Sequence, residues 1–167
     1  MRIGDDPALD AIEAVYRERY GSFLRLALAI TRDEWLARDA VHDGFVRAVR
    51  FRGGLRDTAS TPGWVSRIVV NEATKRRTDE ARYVPLDPER LEAPSANGHD
   101  ETGVPTAAIA ALPERQRLAL FLRYYLDLDY ASIAEALDIR VGTVSATLHA
   151  AHRNLGISLK EEERCET

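Results

Sequence analysis

The chain has 167 residues with 45% apolar composition, enough for one or two small packed domains. Its single cysteine, Cys165, excludes an internal disulfide framework, and an inert thiol in a reducing cytoplasm is the expectation. A net charge of −4, divided as +2 over 1–83, −4 over 84–105 and −2 over 106–167, lacks the basic footprint of a protein that grips duplex DNA alone.

Ala, Leu, Arg and Glu dominate and no strand pattern stands out, so an all-α chain is predicted. There is no apolar run of bilayer-spanning length and no signal-peptide pattern, so no membrane insertion is expected. Asp6-Pro7 starts a first helix, with Asp as cap and Pro in the first turn. Its apolar positions are Ile12, Val15, Tyr16, Phe23, Leu24, Ala27 and Ile30, and Gly21 is expected to bend or break it. Thr31-Arg32-Asp33-Glu34 reads as a capping box that starts a second helix, with Trp35, Leu36, Val41, Phe45, Ala48 and Val49 as its apolar side. A glycine-containing loop follows over Phe51–Ser60. Thr61-Pro62 then caps a third helix, which runs through Trp64, Ile68, Val69 and Ala73 into the basic run Lys75-Arg76-Arg77.

Residues 84–105 hold four prolines, two glycines and an acidic excess, with no helical stripe. They read as a flexible linker. The predicted architecture is therefore two small helical domains, 1–83 and 106–167, on either side of a tether.

Leu112–Leu155 reads as a helix feeding a helix-turn-helix. Asp129 caps the first short helix, which carries Ile133 and Leu137 on one face. The turn is Asp138-Ile139-Arg140-Val141-Gly142, and Thr143 is placed as cap of the next helix. That helix presents Val144, Leu148, Ala151 and Leu155 at i, i+4, i+7 and i+11, a single inward stripe. Such a pair of helices lays its second member in a DNA major groove. No Ser/His/Asp set, phosphate loop or metal-ligand spacing accompanies it, so neither an enzyme nor a cofactor or metal is expected.

Several blocks resemble a bacterial RNA polymerase sigma factor of the extracytoplasmic-function type. In the C-terminal half these are Leu112–Arg117, Leu122–Tyr124, Tyr130–Leu137 and Val141–Val144. In the N-terminal half, Ala37–Ala48 is similar to the family's polymerase-docking helix and Trp64–Asn71 to its promoter-reading helix. The resemblance implies a dissociable initiation subunit. Its first domain would dock on the clamp of core polymerase and capture the melted non-template strand of the −10 element. Its second would dock on the flap and read the −35 duplex. An anti-sigma factor is a further implied partner, and no small-molecule substrate is. Core polymerase would then supply the grip that an acidic subunit lacks.

Asp39, His42 and Asp43 share one face of the second helix, where two carboxylates suit a basic partner helix. The family usually has Gln at the position of His42. Phe121 is assigned to flap docking, because Leu118, Leu120, Phe121, Leu122 and Tyr125 exceed what one helix needs for its own core. Arg52 and Arg56 in the glycine loop, Arg67 and Asn71 on the third helix, and Lys75 and Arg76 at its end are the candidate DNA contacts of the first domain. Those of the second are Arg115, Arg117, Arg140, Thr143, Ser145, Thr147, His149 and Arg153. Over 145–154 only Arg153 is permanently charged, where the family usually carries several cations. Weak −35 affinity is therefore expected. Two competing classes remain at this point: a stand-alone helix-turn-helix repressor, and a sigma-like chain that titrates a partner without reading DNA.

Overall fold

The computed structural model describes residues 6–83 and 106–165, all of whose regular structure is helical. The expected linker, 84–105, and the side chains of Glu161, Glu162, Glu163 and Cys165 lie outside the described residues. In chain order the helices are α1 (Pro7–Thr31), α2 (Glu34–Arg50), α3 (Thr61–Tyr83), α4 (Thr106–Ala110), α5 (Glu114–Leu120), α6 (Tyr130–Leu137) and α7 (Val141–Cys165).

Asp6 caps α1 as predicted, its carboxylate accepting from the Leu9 amide at 3.2 Å, with Pro7 in the first turn. Gly21 does not interrupt α1. The helix is held through it by packing of Phe23, Leu26 and Ala27 on the buried side, which outweighs the roughly 1 kcal/mol helix penalty of one glycine. The capping box is displaced. Asp33, not Thr31, caps α2, accepting from the Leu36 amide at 3.0 Å. Thr31 is the last residue of α1, and its hydroxyl donates back to the Ala27 carbonyl at 3.0 Å. Arg32 takes a left-handed conformation (φ 55°) and makes the sharp reversal between the two helices.

Helices α1, α2 and α3 form a three-helix bundle around Ile12, Phe23, Leu26, Ile30, Val41, Phe45, Val65 and Val69. Phe23 and Phe45 meet edge to face at 5.2 Å. Gly44 lets α2 and α3 close up, since a Cβ there would lie 2.8 Å from Val69 Cγ2. Trp35 and Val49 are not part of this core. Trp35 is 80% exposed, because the buried stripe of α2 follows Ala37, Ala40, Val41, Phe45 and Ala48 instead. Thr61 does not cap α3: it is already helical, and its hydroxyl donates to the Thr58 carbonyl at 2.7 Å.

The C-terminal helices pack around Leu122, Leu126, Ile133, Val144, Leu148 and Ala151. Asp129 caps α6, accepting from the Ser132 amide at 2.7 Å. The turn into α7 pivots on Asp138, not on a glycine, with φ at 52°. Helix α7 begins at Val141, so Gly142 and Thr143 lie inside its first turn and Thr143 is not a cap. A five-residue π-helical turn, Phe121–Tyr125, follows α5.

The two halves touch. Helix α3 packs on α6, and α1 packs on α5 and the π-helical turn. This contact uses the surplus apolar side chains of 118–125: Leu118, Leu120 and Leu122 are buried, and Arg25 stacks over the Tyr125 ring at 5.0 Å. Phe121, expected on an open docking surface, is half-buried and stacked on Tyr125 with ring centroids 5.0 Å apart.

Candidate nucleic-acid interface

The face of α2 that looks away from the bundle carries Trp35, Asp39, His42, Val46 and Val49, all exposed. Their spacing, i, i+4, i+7, i+11 and i+14, makes one continuous stripe along the helix. The expected pair of outward carboxylates is only partly available. Arg76 of α3 ion-pairs with Asp43 and lies 3.6 Å from Asp39. The apolar members of the stripe, Trp35, Val46 and Val49, escaped the sequence reading because a tryptophan at the start of a helix looks like core. The signal was their offset from the Ala37–Val41–Phe45–Ala48 row.

That pairing also corrects the role of Arg76. Its guanidinium points back at α2, with its Nε buried and without a hydrogen-bond partner. It is not a free phosphate contact. Arg52 is likewise engaged: it ion-pairs with Asp6 and donates to the Val49 carbonyl at 2.8 Å. The Arg52 guanidinium, with help from the Leu9 amide, holds the Asp6 carboxyl below its ordinary range. Arg56, in the same loop, is exposed, and an added Cβ at Gly53 or Gly54 would meet nothing.

On α3, Arg67, Asn71 and Lys75 are exposed and Val70 is buried. Arg67, Val70, Asn71 and Thr74 form one wall of a cleft of about 530 Å³ whose opposite wall is Glu114, Arg115, Leu118, Ala136, Leu137 and Asp138. The cleft brings together Arg67 and Asn71 of the first domain with Arg115 of the second.

In the helix-turn-helix, Arg140, Ser145, His149, His152 and Arg153 are exposed, and Thr143 and Thr147 are half-buried. The Thr147 hydroxyl donates to the Thr143 carbonyl at 2.7 Å, which leaves it as an acceptor. Val144, Leu148 and Ala151 are buried beneath this row, as the stripe predicted. His152 meets the Tyr124 hydroxyl at 2.8 Å. Asp129, which anchors the start of the motif, has its carboxyl pKa lowered, first by the Ser132 amide and then by the Ser132 hydroxyl.

Arg117 is the clearest correction. It is 5% exposed and donates to three backbone carbonyls: Ala110 at 3.0 Å, Leu112 at 3.1 Å and Ala29 at 3.1 Å. Burial lowers its pKa. A side chain so enclosed cannot meet a phosphate. It ties the loop before α5 to the end of α1.

Comparison with known proteins agrees with this layout. Residues 15–83 match the family described as Sigma-70 region 2, and residues 106–155 match Sigma-70, region 4. The chain is 26% identical to the RNA polymerase sigma-H factor of Pseudomonas aeruginosa, across 94% of this chain and 89% of that one. It is 29% identical to the ECF RNA polymerase sigma factor SigL of Mycobacterium tuberculosis, across 90% and 89%. Among solved structures, it is similar to the sigma factor RpoE in complex with the anti-sigma factor NepR from Bartonella quintana. That likeness has a TM-score of 0.71 at 18% identity and covers 89% of this chain and 96% of that one. CnrH, solved with the cytosolic domain of CnrY, follows at 0.66 and 17%, covering 93% and 96%.

A three-helix bundle that matches region 2, followed by a helix-turn-helix that matches region 4, makes this a promoter-recognition subunit. The chain belongs to the extracytoplasmic-function group of the sigma-70 family, and it is an alternative sigma factor that directs transcription initiation by core RNA polymerase.

Proposed function

We propose that the chain divides its work between two domains, 1–83 and 106–167, on either side of residues 84–105. The first docks on the clamp of core polymerase through the α2 stripe. Trp35, Val46 and Val49 supply the apolar contact there, and Asp39 and His42 the polar rim. Arg56, Arg67, Asn71 and Lys75 meet the melted non-template strand of the −10 element. The second domain lays α7 in the −35 major groove, with Ser145, Thr147 and His149 toward base edges and Arg140 and Arg153 toward phosphates. It carries out no covalent chemistry, and its work is done in the cytoplasm at the nucleoid. The sigma factor RpoE of similar fold was captured with the anti-sigma factor NepR, and a partner of that class is expected here.

The observation that carries this reading is the α2 stripe. A tryptophan that is 80% exposed, in line with Val46 at 52%, is a strip of apolar surface that a partner can cover. The experiment is run-off transcription with purified core polymerase on genomic DNA of the source organism. Selective transcripts that require the chain, and that vanish with Trp35→Asp, are the expected result. Core binding without transcription would point to a titrating protein. A stable dimer on a palindromic operator without polymerase would point to a repressor.

A further inference from the structure

The cleft between α3 and the α5–α6 wall holds about 530 Å³, within the roughly 300–1,000 Å³ of small-molecule sites, which favour the seams between domains. Its apolar lining includes Val70 and Leu118, both buried. Four polar side chains line it from both halves: Arg67 and Asn71 on α3, Arg115 on α5 and Asp138 at the end of α6. All four are exposed and have bonding capacity to spare. Among the described residues, the side chains of Asn71, Arg115 and Asp138 have no ion pair or hydrogen bond. Arg67 has Glu135 near it, but at 4.0 Å that pair is beyond hydrogen-bond length. The other acid of the lining, Glu114, is already held by Arg77.

Each unspent group has a natural acceptor or donor in one class of ligand. Two guanidiniums suit a phosphate, which takes paired N–H bonds from each. A carboxylate would repel that phosphate, but it accepts from the hydroxyls of a ribose, as in dinucleotide sites. A carboxamide matches the donor and acceptor on the edge of adenine. We propose that the cleft is a binding site for a free purine ribonucleotide, with adenosine monophosphate as its simplest form. Arg67 and Arg115 hold the phosphate, Asp138 the ribose hydroxyls and Asn71 the adenine edge, while Val70 and Leu118 lie against the ring.

The site goes beyond the promoter reading and stands without it. Its consequence rests on that reading, through the assignment of Arg67 and Asn71 to the melted −10 strand. The two side chains cannot hold a ribonucleotide and that strand at once, so the nucleotide is a competitor of the promoter. The sugar separates the two ligands. A DNA strand lacks the 2′-hydroxyl, so a surface that merely holds phosphates makes no distinction that Asp138 would make.

The test is isothermal titration calorimetry of the free full chain at physiological salt, with AMP, 2′-deoxy-AMP and inorganic phosphate as titrants. AMP should bind one to one with a Kd of about 1 mM or tighter. The deoxy form and inorganic phosphate should each bind about tenfold more weakly, the worth of one hydrogen bond to a charged group. Arg115→Ala removes an exposed side chain and should weaken AMP binding by about the same factor. Asp138→Gly keeps the left-handed turn and should erase the preference for AMP over its deoxy form. No binding of AMP, or equal affinity for AMP and either of the other titrants, overturns the ribonucleotide site. Full AMP affinity in Arg115→Ala overturns it as well. Run-off transcription with core polymerase is read separately: a chain that binds AMP as described but starts no transcript keeps the site and loses the promoter assignment.

Discussion

Helices α3 and α7, the two proposed to meet promoter DNA, are built on opposite plans. Helix α3 holds the densest basic run of the chain, yet Arg76 and Arg77 are tied to Asp43 and Glu114, and its reading face is turned toward α6. Over its outward row α7 carries one permanent cation, Arg153, but that row stands open to solvent. Charge counted along a sequence is therefore a poor guide to charge that DNA can reach. In α3 the cations hold the fold together. In α7 the proposed reading falls to hydroxyls and imidazoles, so on that proposal affinity comes from elsewhere.

The comparison breaks most visibly at Arg117, a cation that sequence placed among the DNA contacts. Arg117→Met should lower stability in urea denaturation by about 2–3 kcal/mol, because three backbone carbonyls, that of Leu112 in a buried bond, lose their donor. An unchanged midpoint with weakened promoter binding would restore it to the DNA surface. Arg67→Ala should reduce open-complex formation by the holoenzyme about tenfold, within the range of one lost specific contact. Arg76→Gln should affect stability more than DNA, with open complexes on folded protein near the unsubstituted level.

Asp129→Ala should cost about 1 kcal/mol as a lost helix cap. The carboxyl pKa of Asp129 is lower in the folded chain than unfolded. Its contribution is thus complete above the ordinary carboxylate pKa and is lost as pH falls through the lower folded value. The stability gap between Asp129→Ala and the unsubstituted chain should close in acid and stay constant near neutrality. The smallest effect belongs to α7: Arg153→Ala should flatten the dependence of log affinity on log salt by about 0.9. A larger change would mean that Arg153 organises other contacts.

What was legible in the sequence was local. The caps Asp6 and Asp129, the stripe from Val144 to Ala151 and the two-domain helical plan depend on residues a few positions apart. Local competition explains two of the misplacements. Asp33 stands nearer than Thr31 to the free amides of α2, and the left-handed Asp138 ends α6 so sharply that α7 starts at Val141, two residues before the expected cap Thr143. The rest was not legible because the partners are distant. Arg52 finds Asp6 46 residues away, Arg76 finds Asp43 across 33, and Arg117 reaches Ala29 across 88. Each reads in sequence as a free cation. The apolar excess of 118–125 reads as an external docking patch for the same reason, since α1 covers part of it only after folding.

The central claim is that an acidic subunit steers DNA only while a larger enzyme holds both. The most direct test is fluorescence anisotropy of a promoter fork, titrated at physiological salt with the chain alone and with the chain plus core polymerase. The account predicts binding by the isolated chain no tighter than the nonspecific range, about 10⁻⁴–10⁻⁶ M, and at least a hundredfold gain with core that core alone does not give. Nanomolar binding by the isolated chain, or no gain on adding core, would contradict it.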